Sequence, residues 1–183
     1  MPSLSASLGG REEPAVVKPT AAAAAPSSAG FWEKVQSRTR KGGGEALSVM
    51  ASRFQPAEAL AEINAYRAKK GLSPLRLNAK LTQAAKAHSL DLARNDRISH
   101  FGSDGSDIEE RARRSGYAFN LIAENVGTGQ RSASEVIEGW RKSPSHNENL
   151  LLPDAEEMGI AVVYRPETEY QTFWTLVLGA SNG

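Results

Sequence analysis

GIAVVYRPETEYQTFWTLVL, residues 159–178, decides the architecture. Two runs rich in β-branched and aromatic residues flank Pro166, Glu167, Thr168 and Glu169, the pattern of two strands joined by a hairpin loop. A terminal hairpin that follows a series of helix-like segments predicts an α+β domain with helices layered on an antiparallel sheet, rather than a doubly wound parallel sheet.

Working back from the hairpin, Ser143-Pro144 has the form of a cap followed by proline at the first helical position, so a short helix carrying His146 is expected to end by Pro153. Before it, Ser132 with Glu135 has capping-box spacing and opens a helix through Val136, Ile137 and Trp140. Residues 119–126 read as a short buried strand that ends at Gly127 and Gly129. Asp107 with Glu110 repeats the capping spacing, and Gly116 stops the helix so begun. Asn78 caps a long helix whose apolar face is Leu81, Ala84, Ala85, His88 and Leu92; its alanines allow close approach to neighbours. Pro56 suits the start of the first helix, in which Leu60, Ile63 and Tyr66 recur until Gly71.

The first fifty residues differ in kind. They are rich in Pro, Ser, Ala and Gly, include the run Ala21 to Ala25, and end near Gly42, Gly43 and Gly44, with little to bury. Residues 1–53 are therefore expected to be a disordered tail and linker, and 54–183 one compact domain. With 22 basic against 21 acidic residues, no global field draws in nucleic acid. The chain has no cysteine, which excludes disulfides, thiolate nucleophiles and Cys-ligated zinc, so any metal rests on His and carboxylates. No run approaches the roughly 18 apolar residues of a membrane helix, and no signal-peptide pattern is visible in this chain.

The three histidines, His88, His100 and His146, all fall inside the expected domain. His88 lies on an apolar helix face, which favours a core or cleft-wall role over that of a ligand. His100 sits in a loop where no periodicity asks for an imidazole. His146 falls in the first turn of its helix, where the dipole keeps the ring neutral, as a metal ligand must be. Glu124 interrupts the apolar run Leu121-Ile122-Ala123-Glu124-Asn125-Val126, and a buried carboxylate requires a partner: a cation, backbone donors or a metal. Asp104-Gly105-Ser106-Asp107 reads as a turn plus a helix cap, since the ligand spacing of a calcium loop is missing. Arg111, Arg113 and Arg114 read as a solvated helix face. No metalloprotease helix, nucleophile elbow or dinucleotide fingerprint occurs.

These residues resemble the CAP superfamily, also called SCP-like, which includes cysteine-rich secretory proteins, antigen 5 and plant pathogenesis-related 1. The likeness runs from about 57 to 180, through Ile63-Asn64-Ala65-Tyr66-Arg67, Ile98-Ser99-His100-Phe101, Ala123-Glu124-Asn125-Val126, Gly139-Trp140 with Ser143-Pro144-Ser145-His146, Gly159-Ile160-Ala161-Val162 and Phe173-Trp174. Five such motifs in order at compatible spacing make a specific match, especially to the cysteine-free bacterial branch. The resemblance implies a three-layer α-β-α sandwich and a cleft whose two His and two acidic residues bind a divalent metal such as zinc. His100, Glu124 and His146 match three of those positions; Ser143 stands where many members have the fourth, acidic residue, and Asn125 and His88 neighbour the cleft. It also implies export from the cytoplasm and a lipid-like ligand or cell-surface partner.

Three functional readings follow. One is a non-enzymatic extracytoplasmic binding module. Another is a metal-assisted hydrolase with Glu124 as base. In the third, the histidines merely hydrogen-bond with Glu124 and shape the cleft.

Overall fold

The computed structural model of the chain describes residues 15–16, as backbone, and 51–182. Its elements are β1 (Ala15–Val16), α1 (Pro56–Ala68), β2 (Arg76–Leu77), α2 (Ala79–Asn95), α3 (Ile108–Arg114), β3 (Phe119–Thr128), α4 (Ala133–Lys142), α5 (Pro144–Leu150), β4 (Glu157–Tyr164) and β5 (Thr172–Ser181). The sheet order is β1-β3-β5-β4-β2. β5 lies antiparallel between β3 and β4, while β1 and β2 add short parallel pairings at the two edges. The α+β sandwich expected from the terminal hairpin is the one observed.

Strand alternation assigns side chains to the two faces. On β5, Trp174, Leu176 and Leu178 join Met158 and Ile160 of β4 in a core with Ile63 of α1, Val136, Ile137 and Trp140 of α4 and Leu150 of α5. On the other face, Val177 and Ala161 meet Leu81 and Ala85 of α2 and Ile108 and Ala112 of α3. The helices thus form two layers, α1, α4 and α5 on one side and α2 and α3 on the other. The close approach expected of the alanine-rich α2 occurs at Gly159, where a Cβ atom would lie 2.1 Å from the Thr82 nitrogen.

Three of the caps read from sequence are present; Ser143 precedes α5 as expected but makes no side-chain cap bond, its hydroxyl pairing with the His146 ring instead. Asn78 accepts from the Lys80 and Leu81 amides, Asp107 from Glu110, and Ser132 from Glu135. β3 runs two residues further than its expected end, and the edge pairing of Arg76–Leu77 was not legible in so short a segment. The expected disorder of the tail lies outside the described residues, except at Ala15–Val16. These two depart from it by pairing in parallel with Leu121 and Ile122, where β3 offers an edge of backbone donors and acceptors.

Arg67 anchors α1 to the segment that carries the site. It is fully buried, and its guanidinium donates to the carbonyls of Ser73, Leu150, Leu152 and Ala155. Tyr66 Oη donates to Asn147 Oδ1 at 2.8 Å, so successive residues of α1 fix both α5 and the loop after it.

Candidate functional site

Glu124 and Asn125 are adjacent on β3 and both fully buried, and alternation sends them to opposite faces. Glu124 faces the α2–α3 layer. Its Oε2 accepts from Arg111 Nη2 at 2.7 Å and its Oε1 from His100 Nδ1 at 3.0 Å, while His88 Nε2 stands 3.8 Å from Oε1. Asn125 faces α5, donating to the His146 carbonyl at 3.0 Å and accepting from Asn149 Nδ2 at 2.9 Å. Asn149 also reaches the Glu124 carbonyl, at 3.1 Å. One strand dipeptide therefore orients His100 through its carboxylate and His146 through its amide.

Arg111 corrects the reading of the three α3 arginines as a solvated face. Arg113 and Arg114 are half exposed, with side-chain exposures of 57% and 52%, but Arg111 is buried and holds the loop carrying His100. It donates to the carbonyls of Ser106 and His100 as well as to Glu124. The physical reason is helical period: Arg111 is three residues after Ile108 and next to Ala112, on the buried face of α3. That spacing was the available signal. Asn149 was also missed; it lies three residues after His146, on a helix too short for a periodic signal.

The proton positions follow from these partners. The Ser99 carbonyl only accepts, so His88 Nε2 carries the hydrogen of their 2.9 Å bond. His88 is 1% exposed and its Nδ1 has no hydrogen-bond partner. Burial holds its pKa below the usual range, only partly opposed by Glu124. Burial pushes the Glu124 carboxyl up, but the His100 hydrogen bond and the charges of His88, Arg111 and His100 outweigh it and leave the pKa lowered. Glu124 is thus an ionised acceptor, and His100 donates to it through Nδ1–H. His146 Nδ1 pairs with Ser143 Oγ at 2.8 Å, and its pKa is lowered by burial and then by the nearby His100. The nitrogen left over on each of these two rings is Nε2.

Both oxygens of Glu124 accept a hydrogen bond and a guanidinium stands beside it, so the carboxylate orients His100. Among the described residues no group of three His, Cys, Asp or Glu side chains stands ready to hold a metal ion. What would hold a borderline cation is the pair of imidazole Nε2 atoms, that of His100 with a carboxylate behind the ring and that of His146 with a hydroxyl behind it.

A three-layer sandwich of this connectivity, with a buried Glu in the middle of β3 and two histidines held by that strand's Glu124-Asn125 pair, has the features of the CAP class of domain. The chain belongs to the cysteine-rich secretory protein (CAP) family, whose model matches residues 60–178. Over 112 residues it is 29% identical to the uncharacterized protein YkwD of Bacillus subtilis, covering 61% of this chain and 42% of that protein; the chain thus spans less than half of that relative. Among solved structures it is similar to an extracellular SCP-domain protein of Bacillus anthracis, with a TM-score of 0.62 and 23% identity over 68% of this chain and 40% of that one. It is likewise similar to an outer surface protein of Borrelia burgdorferi, with a TM-score of 0.63 and 24% identity over 70% of this chain and 97% of that one. This is a CAP domain of the bacterial type, and no helix among the described residues is long and apolar enough to cross a membrane.

Proposed function

We propose that this chain is a non-enzymatic, extracytoplasmic binding module whose cleft engages its ligand through Nε2 of His100 and of His146. The observation that carries the reading is that both oxygens of Glu124 already accept a hydrogen bond, one from Arg111 and one from His100, with the guanidinium holding the carboxylate ionised. A general base needs a pKa near the working pH. Glu124 has both oxygens committed and a lowered pKa, so it serves to position His100 and is poorly suited to activate water. The extracytoplasmic setting is proposed by analogy with the extracellular and outer-surface proteins of similar fold.

The same pair of nitrogens is proposed to take one divalent cation such as zinc, with Glu124 as orienter. When bound, that ion would supply a Lewis-acidic anchor for an anionic or carbonyl group of a ligand. Ser143 in place of an acidic residue leaves little negative charge to offset desolvation of the cation, and Arg111 opposes it, so binding is weak and reversible.

Calorimetry with zinc at pH 7.5 tests this on wild type, His100→Ala and His146→Ala. Binding is expected in wild type and lost in each variant, and Ser143→Glu is expected to tighten it. Affinity should fall as pH drops through about 6.5, where protons compete for imidazole, with the His146 contribution persisting lower. Equal binding in all three proteins would place the metal elsewhere, whereas none in wild type leaves a cleft that only donates and accepts hydrogen bonds. Hydrolysis of a peptide or ester that chelation abolishes would establish the metal-assisted hydrolase instead.

A further inference from the structure

The outer edge of β3 is covered unevenly. In its second half, side chains stand in for a neighbouring strand: Asn149 Nδ2 donates to the Glu124 carbonyl at 3.1 Å and Trp140 Nε1 to that of Val126 at 3.0 Å. In its first half the strand partner among the described residues is β1, which pairs in parallel through Ala15 with Leu121 and through Val16 with Ile122. Beside this pairing Asn120 is exposed, left out of the register with β5 by a shift between Phe119 and Leu121. Backbone donors and acceptors along a strand edge are a template for a further strand, and proteins blunt such edges with charge, proline or a covering helix. Here the covering helices stop short of Ala123.

The occupant supplied by the chain itself is a weak one. In the sequence, Ala15-Val16-Val17-Lys18 stands between Pro14 and Pro19, and a proline cannot donate to a ladder, so little of the tail around β1 is able to extend the pairing. Val16-Val17 is nonetheless the one pair of adjacent β-branched residues before residue 51, the chemistry that suits a strand. A pairing of two residues is marginal by itself. What keeps β1 at the edge is its covalent tether, residues 17–53, which sets an effective concentration of about the millimolar range. A segment held by its tether gives way to a longer one without prolines, which gains main-chain bonds at Asn120 and Ala123 as well.

We infer that the β3 edge from Asn120 to Ala123 is a docking site for an extended segment of a partner protein, and that β1 is the chain's own placeholder on it. The partner's segment runs parallel to β3, carries β-branched apolar residues and has no proline where it pairs. In strand addition of this kind main-chain hydrogen bonds supply affinity and alternate side chains supply selectivity. Its arrival displaces β1 and frees the tail from the domain. The inference stands apart from the reading of the histidine cleft, since it uses backbone groups of β3 and neither imidazole.

The test uses the full chain, labelled with ¹⁵N, as wild type and with Ala15→Pro and Val16→Pro together, which removes the donors of β1. The probe is the acetylated peptide Glu-Glu-Thr-Ala-Val-Val-Lys, the chain's own segment with Pro14→Thr. Saturable shifts are expected at the amides of Asn120 to Ala123 in both chains. Affinity should be about tenfold tighter in the β1 variant, as follows when a resident strand leaves only about a tenth of the sites open. The same peptide with Val16→Pro should bind neither chain, which separates main-chain pairing from apolar adhesion. If the β1 variant melts early, Val16→Pro alone takes its place. His100→Ala should leave peptide binding intact, so that failure here and failure of the zinc test on the cleft are told apart. No saturable shift in the β1 variant, equal affinity in the two chains, or retained binding of the proline peptide would each overturn the inference. So would self-association of the wild type in sedimentation that the β1 variant abolishes, because the occupant would then be a second copy of the chain.

Discussion

A buried carboxylate is tolerated only when its partners replace water, and at Glu124 the partners are unequal. Arg111 carries a permanent charge, whereas His88 and His100 assist electrostatically only when protonated. Arg111→Met is therefore expected to cost about 3–5 kcal/mol in urea unfolding, because it strands an ionised group and frees the Ser106 and His100 carbonyls. Adding Glu124→Leu to that variant should recover part of the loss; a double variant no more stable than the single one would show that the loop contacts dominate. The pH response has a definite sign. His88 and His146 have folded pKa values below their unfolded ones, so their contribution to stability is whole above about pH 6.5 and is lost as pH falls toward the folded values. Glu124, also lowered, contributes fully above about pH 4.3 and loses that contribution as pH falls toward its folded value. Urea midpoints should thus decline from about pH 6.5 downward and more steeply below about 4.3, with His88→Gln reducing the first decline. A midpoint unchanged between pH 7.5 and 5.5 would contradict the assignment of His88 as buried and neutral.

Secondary elements meet most closely where α2 crosses the sheet. Gly159→Ala would drive a methyl group into the α2 backbone, which has no side chain to rotate away, so destabilisation of about 3 kcal/mol is expected. Gly139, exposed on α4 with open space around its missing Cβ, offers the contrast. Gly139→Ala should stabilise by about 0.5–1 kcal/mol through the entropy of the unfolded chain. Thermal melts of the two variants check both signs; a neutral Gly159→Ala would show that α2 can move away from β4. The outer edge of β3 shows how side chains take the place of a neighbouring strand. Asn149 Nδ2 donates to the Glu124 carbonyl and Trp140 Nε1 to that of Val126, while β1 pairs at Leu121 and Ile122. Helices α4 and α5 thereby cover the edge that would otherwise invite pairing with another chain.

For the molecule as a whole, the folded unit is proposed to begin near Phe54, whose ring meets Trp174 edge-on with centroids 5.3 Å apart. Limited proteolysis is expected to leave a resistant fragment starting at about that residue, with an unfolding transition close to that of the full chain. If the fragment instead unfolds once residues 1–50 are removed, the tail, including its pairing at Leu121 and Ile122, belongs to the cooperative unit. Within the unit, buried Arg67 joins α1 to the loop after α5, so the helix that carries His146 is positioned from across its layer.

The sequence by itself determined the helices, their caps, the terminal hairpin and the burial of Glu124, because capping and periodicity are local: each is set by residues within a few positions of one another. It also marked His100 as a residue that no scaffold period required, and His146 by its place in the first turn of a helix. Only the tertiary structure decided what surrounds them. That Arg111 and His100 bond both oxygens of Glu124, and that Asn125 holds the His146 carbonyl, depends on how α3 and α5 pack against β3. A helical period places Arg111 on a buried face but cannot tell which strand carboxylate that face will meet. The pairing is fixed by contacts between distant segments, and through them Glu124 holds His100 in place.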